Sequence, residues 1–272
     1  MTPPRRNTPS PRMSALLVGL GLAVAAGSGA AASREGARGK SDPAATEQQI
    51  EPLGPQGAAA SLFPRPARPV ADIVSPTWGD AQERDLAGET RQLTDKLALK
   101  SGEILADIGA GAGYDTLRLS RVVGPKGRVI AEDVRPEYLT VLMRSVRSEK
   151  LANVVPALGQ TDDPRLKPAS VDVAVLIHMY HEIAAPYAFL YNLAPAMKPG
   201  GRVGVMDLAR GTAQHGTPPS LLRCEFEAVG YRQVGSSQMD GGLGYLAVFA
   251  APKHGERPRP QDIRPCPPER SS

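Results

Sequence analysis

Aromatic residues are scarce in this chain: phenylalanine, tyrosine and tryptophan make up 4% of 272 residues, and the one tryptophan is Trp78. Cysteine is scarcer, with only Cys224 and Cys266. Two cysteines exclude any framework of several disulfides. They allow one pairing, which would staple the C-terminal tail to the domain, or else they are two unrelated thiols. No apolar run reaches the roughly 20 residues that a membrane-spanning helix needs; Ser14 to Ala26 is about 13. Acids are missing altogether from residues 1–32, which carry Arg5, Arg6 and Arg12. With that segment set aside, the formal charge of +4 becomes 29 basic against 28 acidic residues. A body so near neutral gives no electrostatic case for nucleic acid, so no nucleic-acid partner is expected. What the chain does have is enough hydrophobic residues, 41%, to fill a core. Its prolines gather toward the two ends, which implies a globular middle between irregular arms.

The first 32 residues run from basic, through the apolar Ser14–Ala26, to the small residues Gly27–Ala32. That is the layout of a secretory signal, and Ala30-Ala31-Ala32 places cleavage after Ala32. The expectation is a periplasmic or secreted protein with no stable membrane association once cleaved; an uncleaved N-terminal anchor is the alternative. Residues 33–72 are then a disordered linker and arm, 73–252 the folded domain, and 253–272 an irregular tail. In an exported chain a disulfide between the two cysteines would persist.

Within the domain, apolar strands alternate with helical patterns. Asp80 caps a helix through Leu86, Leu93 and Leu97, which Lys100-Ser101-Gly102 ends. Strands follow at Glu103–Ile108, Arg128–Val134, Val154–Leu158, Val171–Ile177, Arg202–Leu208, Tyr231–Ser236 and Tyr245–Ala250. Helices lie at Tyr114–Val123, Pro136–Lys150, Pro186–Met197 and Ser220–Val229. Such alternation predicts an α/β, Rossmann-like, mostly parallel sheet with helices on both faces.

The first strand runs straight into Asp107-Ile108-Gly109-Ala110-Gly111-Ala112-Gly113. Glycines at a strand-to-helix turn let backbone N–H groups approach a ligand, and the next helix points its amides the same way. A dinucleotide site wants G-x-G-x-x-G. Here the glycines are 109, 111 and 113, and Tyr114 stands where that pattern needs glycine. The spacing suits a cofactor without a pyrophosphate. The second strand ends in Glu132-Asp133; alternation lets only one face the ligand, and Asp133, nearer the loop, is favoured as the ribose acceptor. After the third strand, Asp163 is preferred to Asp162 as acceptor for an adenine amino group, against a plain turn before Pro164.

These segments, with Lys198-Pro199-Gly200-Gly201, resemble class I S-adenosylmethionine-dependent methyltransferases over roughly residues 70–252. The resemblance implies S-adenosylmethionine as cofactor, held by Asp107, Gly109, Ala110, Gly111, Gly113, Asp133, Asp163 and His178. It also implies seven strands with the last antiparallel. Arg68–Asp72, Ala106–Gly111, His178–Ile183 and His215–Pro219 further resemble a bacterial group of methyltransferases that often carry export signals; the group implies fold and cofactor, not an acceptor.

In that fold His178-Met179-Tyr180-His181-Glu182 faces the methyl group in transit. Methyl transfer needs orientation and removal of the acceptor's proton. His181 is the first candidate base and Tyr180 the second, with His181 as a loop-orienting group the alternative. The Asn/Asp-Pro-Pro-aromatic motif of nucleobase amino-methylating enzymes is absent, so a small-molecule acceptor is expected. No metal is expected: His178 falls at a strand end, and no strong ligand set accompanies His181 and Glu182. Asp207 is a candidate pocket residue. His215–Pro219 either covers the acceptor or simply connects, and Trp78 with Arg84-Asp85 forms a candidate lid. Nothing in the sequence sets the oligomeric state.

Overall fold

In a computed structural model of the protein, residues 50–73, 81–253 and 255–268 are described, all within one unit, Gln48–Ser272. The expected signal segment, Trp78 and Asp80 lie outside the described residues. The seven strands are β1 (Ile104–Ile108), β2 (Arg128–Asp133), β3 (Val154–Leu158), β4 (Val171–Ile177), β5 (Met197–Asp207), β6 (Arg232–Gln238) and β7 (Tyr245–Ala250). They form one sheet in the order β3-β2-β1-β4-β5-β7-β6. The first five are parallel, and β7 runs antiparallel between β5 and β6. This is the expected Rossmann-like architecture.

Side-chain alternation explains how one sheet supports two cores. Leu105, Val173 and Val175 pack into one cluster; Ala106, Ala174 and Leu176, their chain neighbours, pack into the other. Successive strand residues point to opposite faces, so strands covered on both sides must be apolar throughout. β4 meets this with Val171, Val173, Ala174, Val175 and Leu176 all buried. The helices are α1 (Ala81–Leu86), α2 (Glu89–Leu97), α3 (Tyr114–Val123), α4 (Pro136–Ser148), α5 (Pro186–Leu193) and α6 (Pro219–Ala228). The single helix expected from Asp80 to Leu97 is two, because Gly88 between them adopts a left-handed conformation. The helix expected to reach Met197 ends at Leu193 in a 3-10 turn, and β5 starts earlier, at Met197.

Residues 50–73 correct the expectation of a disordered arm. They have almost no regular structure, yet their backbone is held along the domain. The Gly54 N–H donates to Arg165 O at 2.6 Å and the Leu158 N–H to Glu51 O at 3.3 Å. Asn192 exchanges two bonds with the Ala58 backbone. Phe63 is buried, edge-on to Tyr191. Arg68 is fully buried and paired with Glu225 of α6 at 2.9 Å. Composition predicted the irregularity; it does not register that partners for these backbone groups come from the domain. The tail is similar. Cys266 pairs with Cys224 of α6, the Cys266 N–H donates to the Tyr187 hydroxyl, and Ile263 is buried.

Candidate functional site

Strand order reverses at β1 and β4: β2 and β3 lie to one side of β1, β4 and β5 to the other. The chains leaving the carboxyl ends of these strands diverge, and a cleft opens between them. About 1080 Å³ of non-protein space lies within it, the open solvent at its mouth included. From the first turn, Gly109, Ala110, Gly111 and Ala112 line it; from β2, Glu132 and Asp133; from the loop after β3, Gln160 and Thr161; from the turn after β4, His178, Met179 and Glu182.

The glycine loop is shaped for close approach. Gly109 has φ +69°, and a Cβ there would meet Met179 Cγ at 2.9 Å. Gly111 has φ +53°, and a Cβ there would have no atom of the protein within 4 Å. The first glycine packs against the opposite wall, whereas the second leaves a hollow for a ligand to enter. Ala110 N–H donates to Glu132 O at 2.8 Å, tying the loop to β2. Gly113 caps α3 and backs onto Leu142 of α4, outside the lining. The N-terminus of α3 then opens on the cleft through Ala112 and Tyr114.

Asp133 lines the cleft, but so does Glu132, against the expectation that strand alternation admits only one of them. Asp133 Oδ2 accepts from Gly111 N–H at 2.8 Å and its Oδ1 from Arg135 N–H at 2.9 Å. Both oxygens keep accepting capacity toward the cleft. Burial raises the carboxyl's pKa above its ordinary value, against the pull of these N–H groups. Glu132 is buried too, with Oε1 unpartnered, and burial with the Asp133 charge pushes it well above the ordinary range. It fits only because the facing residue is Gly159, where any Cβ would overlap Oε1. Asp107 lies behind the loop, accepting from the Thr116 hydroxyl at 2.5 Å; burial pushes its carboxyl up to about 6. It supports the turn and does not line the cleft.

Asp163 does not face the cleft. Its Oδ2 accepts from Gly57 N–H at 2.7 Å and its Oδ1 from Arg165 N–H at 2.9 Å, while Asp162 accepts from Ala60 N–H. Both acids hold the 50–73 segment. Gln160 and Thr161 take the cleft position instead; their one signal in the sequence is their place immediately after Gly159.

After β4 the geometry departs further from expectation. His178 adopts φ +53°, uncommon for a non-glycine residue. This ends the strand alternation and redirects the chain at residues 179–182. His178 itself lines the cleft, and burial lowers its pKa to about 4, leaving the imidazole neutral. Tyr180 points into the core: it is fully buried and donates to Glu225 Oε2 at 2.8 Å, and burial raises its pKa well above ordinary. His181 is fully buried, with Nδ1 at 3.1 Å from Asp207 Oδ2. Neither candidate base lines the cleft, nor does Asp207, which also accepts from the Thr217 hydroxyl at 2.7 Å. Arg84 does reach the cleft, spanning Glu89 and Asp115 and lying 3.6 Å over the Tyr114 ring. Four acids, Asp115, Glu132, Asp133 and Glu182, line the cleft with Arg84; Arg84 pairs with Asp115, and burial pushes Asp115 and Glu132 toward the neutral form.

Comparison with known proteins agrees with this geometry. Residues 105–201 match the family described as a methyltransferase domain. Over 116 residues the chain is 29% identical to arsenite methyltransferase of Halobacterium salinarum, covering 42% of this chain and 29% of that protein. Over 127 residues it is 26% identical to demethylmenaquinone methyltransferase of Lactobacillus johnsonii, covering 46% and 52%. Over 104 residues it is 34% identical to tRNA (adenine(58)-N(1))-methyltransferase of Thermus thermophilus, covering 38% and 39%. The chain thus spans about a third to a half of the length of these relatives. Among solved structures, a SAM-dependent methyltransferase from Aquifex aeolicus superposes with a TM-score of 0.54 at 22% identity, over 63% of this chain and 97% of that one. The [4+2]-cyclase SpnF gives 0.51 at 17% identity, over 64% and 70%. The matched segment and these relatives are those of methyltransferases, which implies S-adenosylmethionine as the cofactor; the solved structures share the fold.

Proposed function

We propose that the protein transfers a methyl group to a small-molecule acceptor in the cleft between β1 and β4. The observation that carries this is the hollow at Gly111 beside the Asp133 carboxylate, at the switch point of the sheet. The residues fit the cofactor: Asp133 offers acceptors for two ribose hydroxyls, the backbone of 109–112 admits a close approach, and Gln160 and Thr161 flank the side where a base would lie. When bound, S-adenosylmethionine supplies an electrophilic methyl group on a sulfonium. The protein's task is then orientation and, for a protonated acceptor, removal of one proton. His178 replaces Tyr180 and His181 as the group placed for this, because its neutral imidazole is in the lining.

The small-molecule assignment rests on the near-neutral body of the chain, 29 bases against 28 acids beyond residue 32. Incubation with S-adenosylmethionine and a metabolite extract of the producing cell, reading S-adenosylhomocysteine, tests it. Cofactor-dependent release is expected; binding without release over any fraction would favour the second reading. In that reading the domain binds the cofactor without catalysis, and the withdrawal of Tyr180 and His181 from the cleft is what favours it.

We also propose that the chain is exported. The Cys224–Cys266 disulfide supports this together with the basic–apolar–small layout of residues 1–32, since such bonds persist outside the reducing cytoplasm. Cell fractionation with N-terminal sequencing should find the chain beginning at Ser33 outside the cytoplasm; a cytoplasmic chain beginning at Met1 would refute it.

A further inference from the structure

The turn after β4 and the loop after β5 bring together three groups at the edge of the cleft. His181, Glu182 and His215 each offer one ligand atom, and these atoms all lie within 4.8 Å of one another. We propose that they form a binding site for one divalent transition-metal ion, Zn²⁺ or Fe²⁺ in class.

Three observations carry it. His181 is fully buried, and its Nδ1 sits 3.1–3.2 Å from both Asp207 oxygens, so Nδ1 holds the proton and donates it to the carboxylate. In the neutral ring that leaves the lone pair on Nε2, which is buried with no hydrogen-bond partner. A carboxylate behind the imidazole is the usual support of a metal-bound histidine. His215 Nδ1 is likewise buried without a partner, and its ring lies edge-on to that of His181, centroids 5.5 Å apart. Two buried imidazole nitrogens without partners on neighbouring rings are costly unless a ligand satisfies them. Finally, Asp207 anchors both sides: besides His181 it accepts from Leu208 N–H and from the Thr217 hydroxyl, two residues beyond His215. The loop bearing one ligand is thus tied to the carboxylate that orients the other.

Two imidazoles and one carboxylate are borderline ligands; they suit zinc or ferrous iron and leave coordination positions open, whereas magnesium and calcium prefer all-oxygen shells. Bonds of about 2.0–2.2 Å would draw the three atoms in by roughly 1 Å. The sequence hid the set because its third member comes from a distant loop, while the nearer His178 turns into the cleft. Glu182 also lines that cleft. An ion held there would face the methyl acceptor, a role that rests on the methyl-transfer reading; the site itself does not.

The test is titration of the chelator-treated full chain with Co²⁺, read by visible d–d absorption, and with Zn²⁺, read by calorimetry, without cofactor or acceptor. Saturation at about one ion per chain is expected, with His215→Ala and Glu182→Gln each weakening binding on the order of 100-fold while apoprotein melting stays unchanged. Absence of binding to the wild type, or binding undiminished in both variants, would overturn the site. A chain that fails to bind S-adenosylmethionine but takes up the ion would count against methyl transfer alone.

Discussion

Asp133 and Asp163 are both buried carboxylates, each accepting two backbone N–H groups, but they serve different ends. Asp133 faces the cleft, so Asp133→Ala should weaken S-adenosylmethionine about 10- to 100-fold, the range for losing charge-assisted hydrogen bonds. Asp163→Ala should leave that affinity nearly untouched and lower unfolding free energy by about 1–3 kcal/mol, because it strands the Gly57 and Arg165 N–H groups. Calorimetry and urea unfolding of the two variants separate the roles; equal loss of affinity in both would contradict the assignment. Its place beside the glycine loop made Asp133 readable, although alternation did not exclude Glu132 from the cleft, whereas nothing local to residues 159–164 tells that residues 57–60 will arrive to claim Asp162 and Asp163. The expectation for Tyr180 fails for a related reason. Its position predicted catalysis, but the left-handed turn at His178 sends it to Glu225. Tyr180→Phe should therefore keep cofactor affinity and cost about 1 kcal/mol of stability. Asp107 gives a prediction in pH. Burial lifts its carboxyl from 3.8 to about 6, so the native state holds this proton longer than the unfolded chain does. Its contribution to stability is full below 3.8 and lost as pH rises through about 6. Wild-type stability relative to Asp107→Asn should accordingly fall over that window; a difference constant with pH would refute it.

At the scale of elements, the strands and most helices were legible because period-2 and period-3.6 patterns reflect burial directly. β7 is found at Tyr245–Ala250 as expected, and the helix after Pro136 begins there. The irregular elements were not legible. The 50–73 segment and the tail are fixed by backbone hydrogen bonds, the buried Arg68–Glu225 pair and one disulfide, all long-range. The disulfide joins residues 42 apart, and removing it as Cys224→Ala/Cys266→Ala should cost about 2–4 kcal/mol. Neither cysteine lines the cofactor cleft, so affinity should hold while the urea midpoint drops.

For the whole molecule, topology and function are linked through one place. The order β3-β2-β1-β4-β5-β7-β6 puts the reversal beside β1, and the glycine loop leaves β1 at that point. The opening pattern, glycines at 109, 111 and 113 with an acid ending the next strand, carried the cofactor because it depends on backbone geometry and one side chain local to the turn. The acceptor side is made of loops from several strand ends and stayed out of reach of pattern reading. The most direct measurement is calorimetric titration of the full chain with S-adenosylmethionine, in parallel with Asp133→Ala. Saturable binding at about one cofactor per chain, weakened on the order of 10- to 100-fold in the variant, is the expected result. No heat at millimolar cofactor, or equal affinity in the two proteins, would contradict the account.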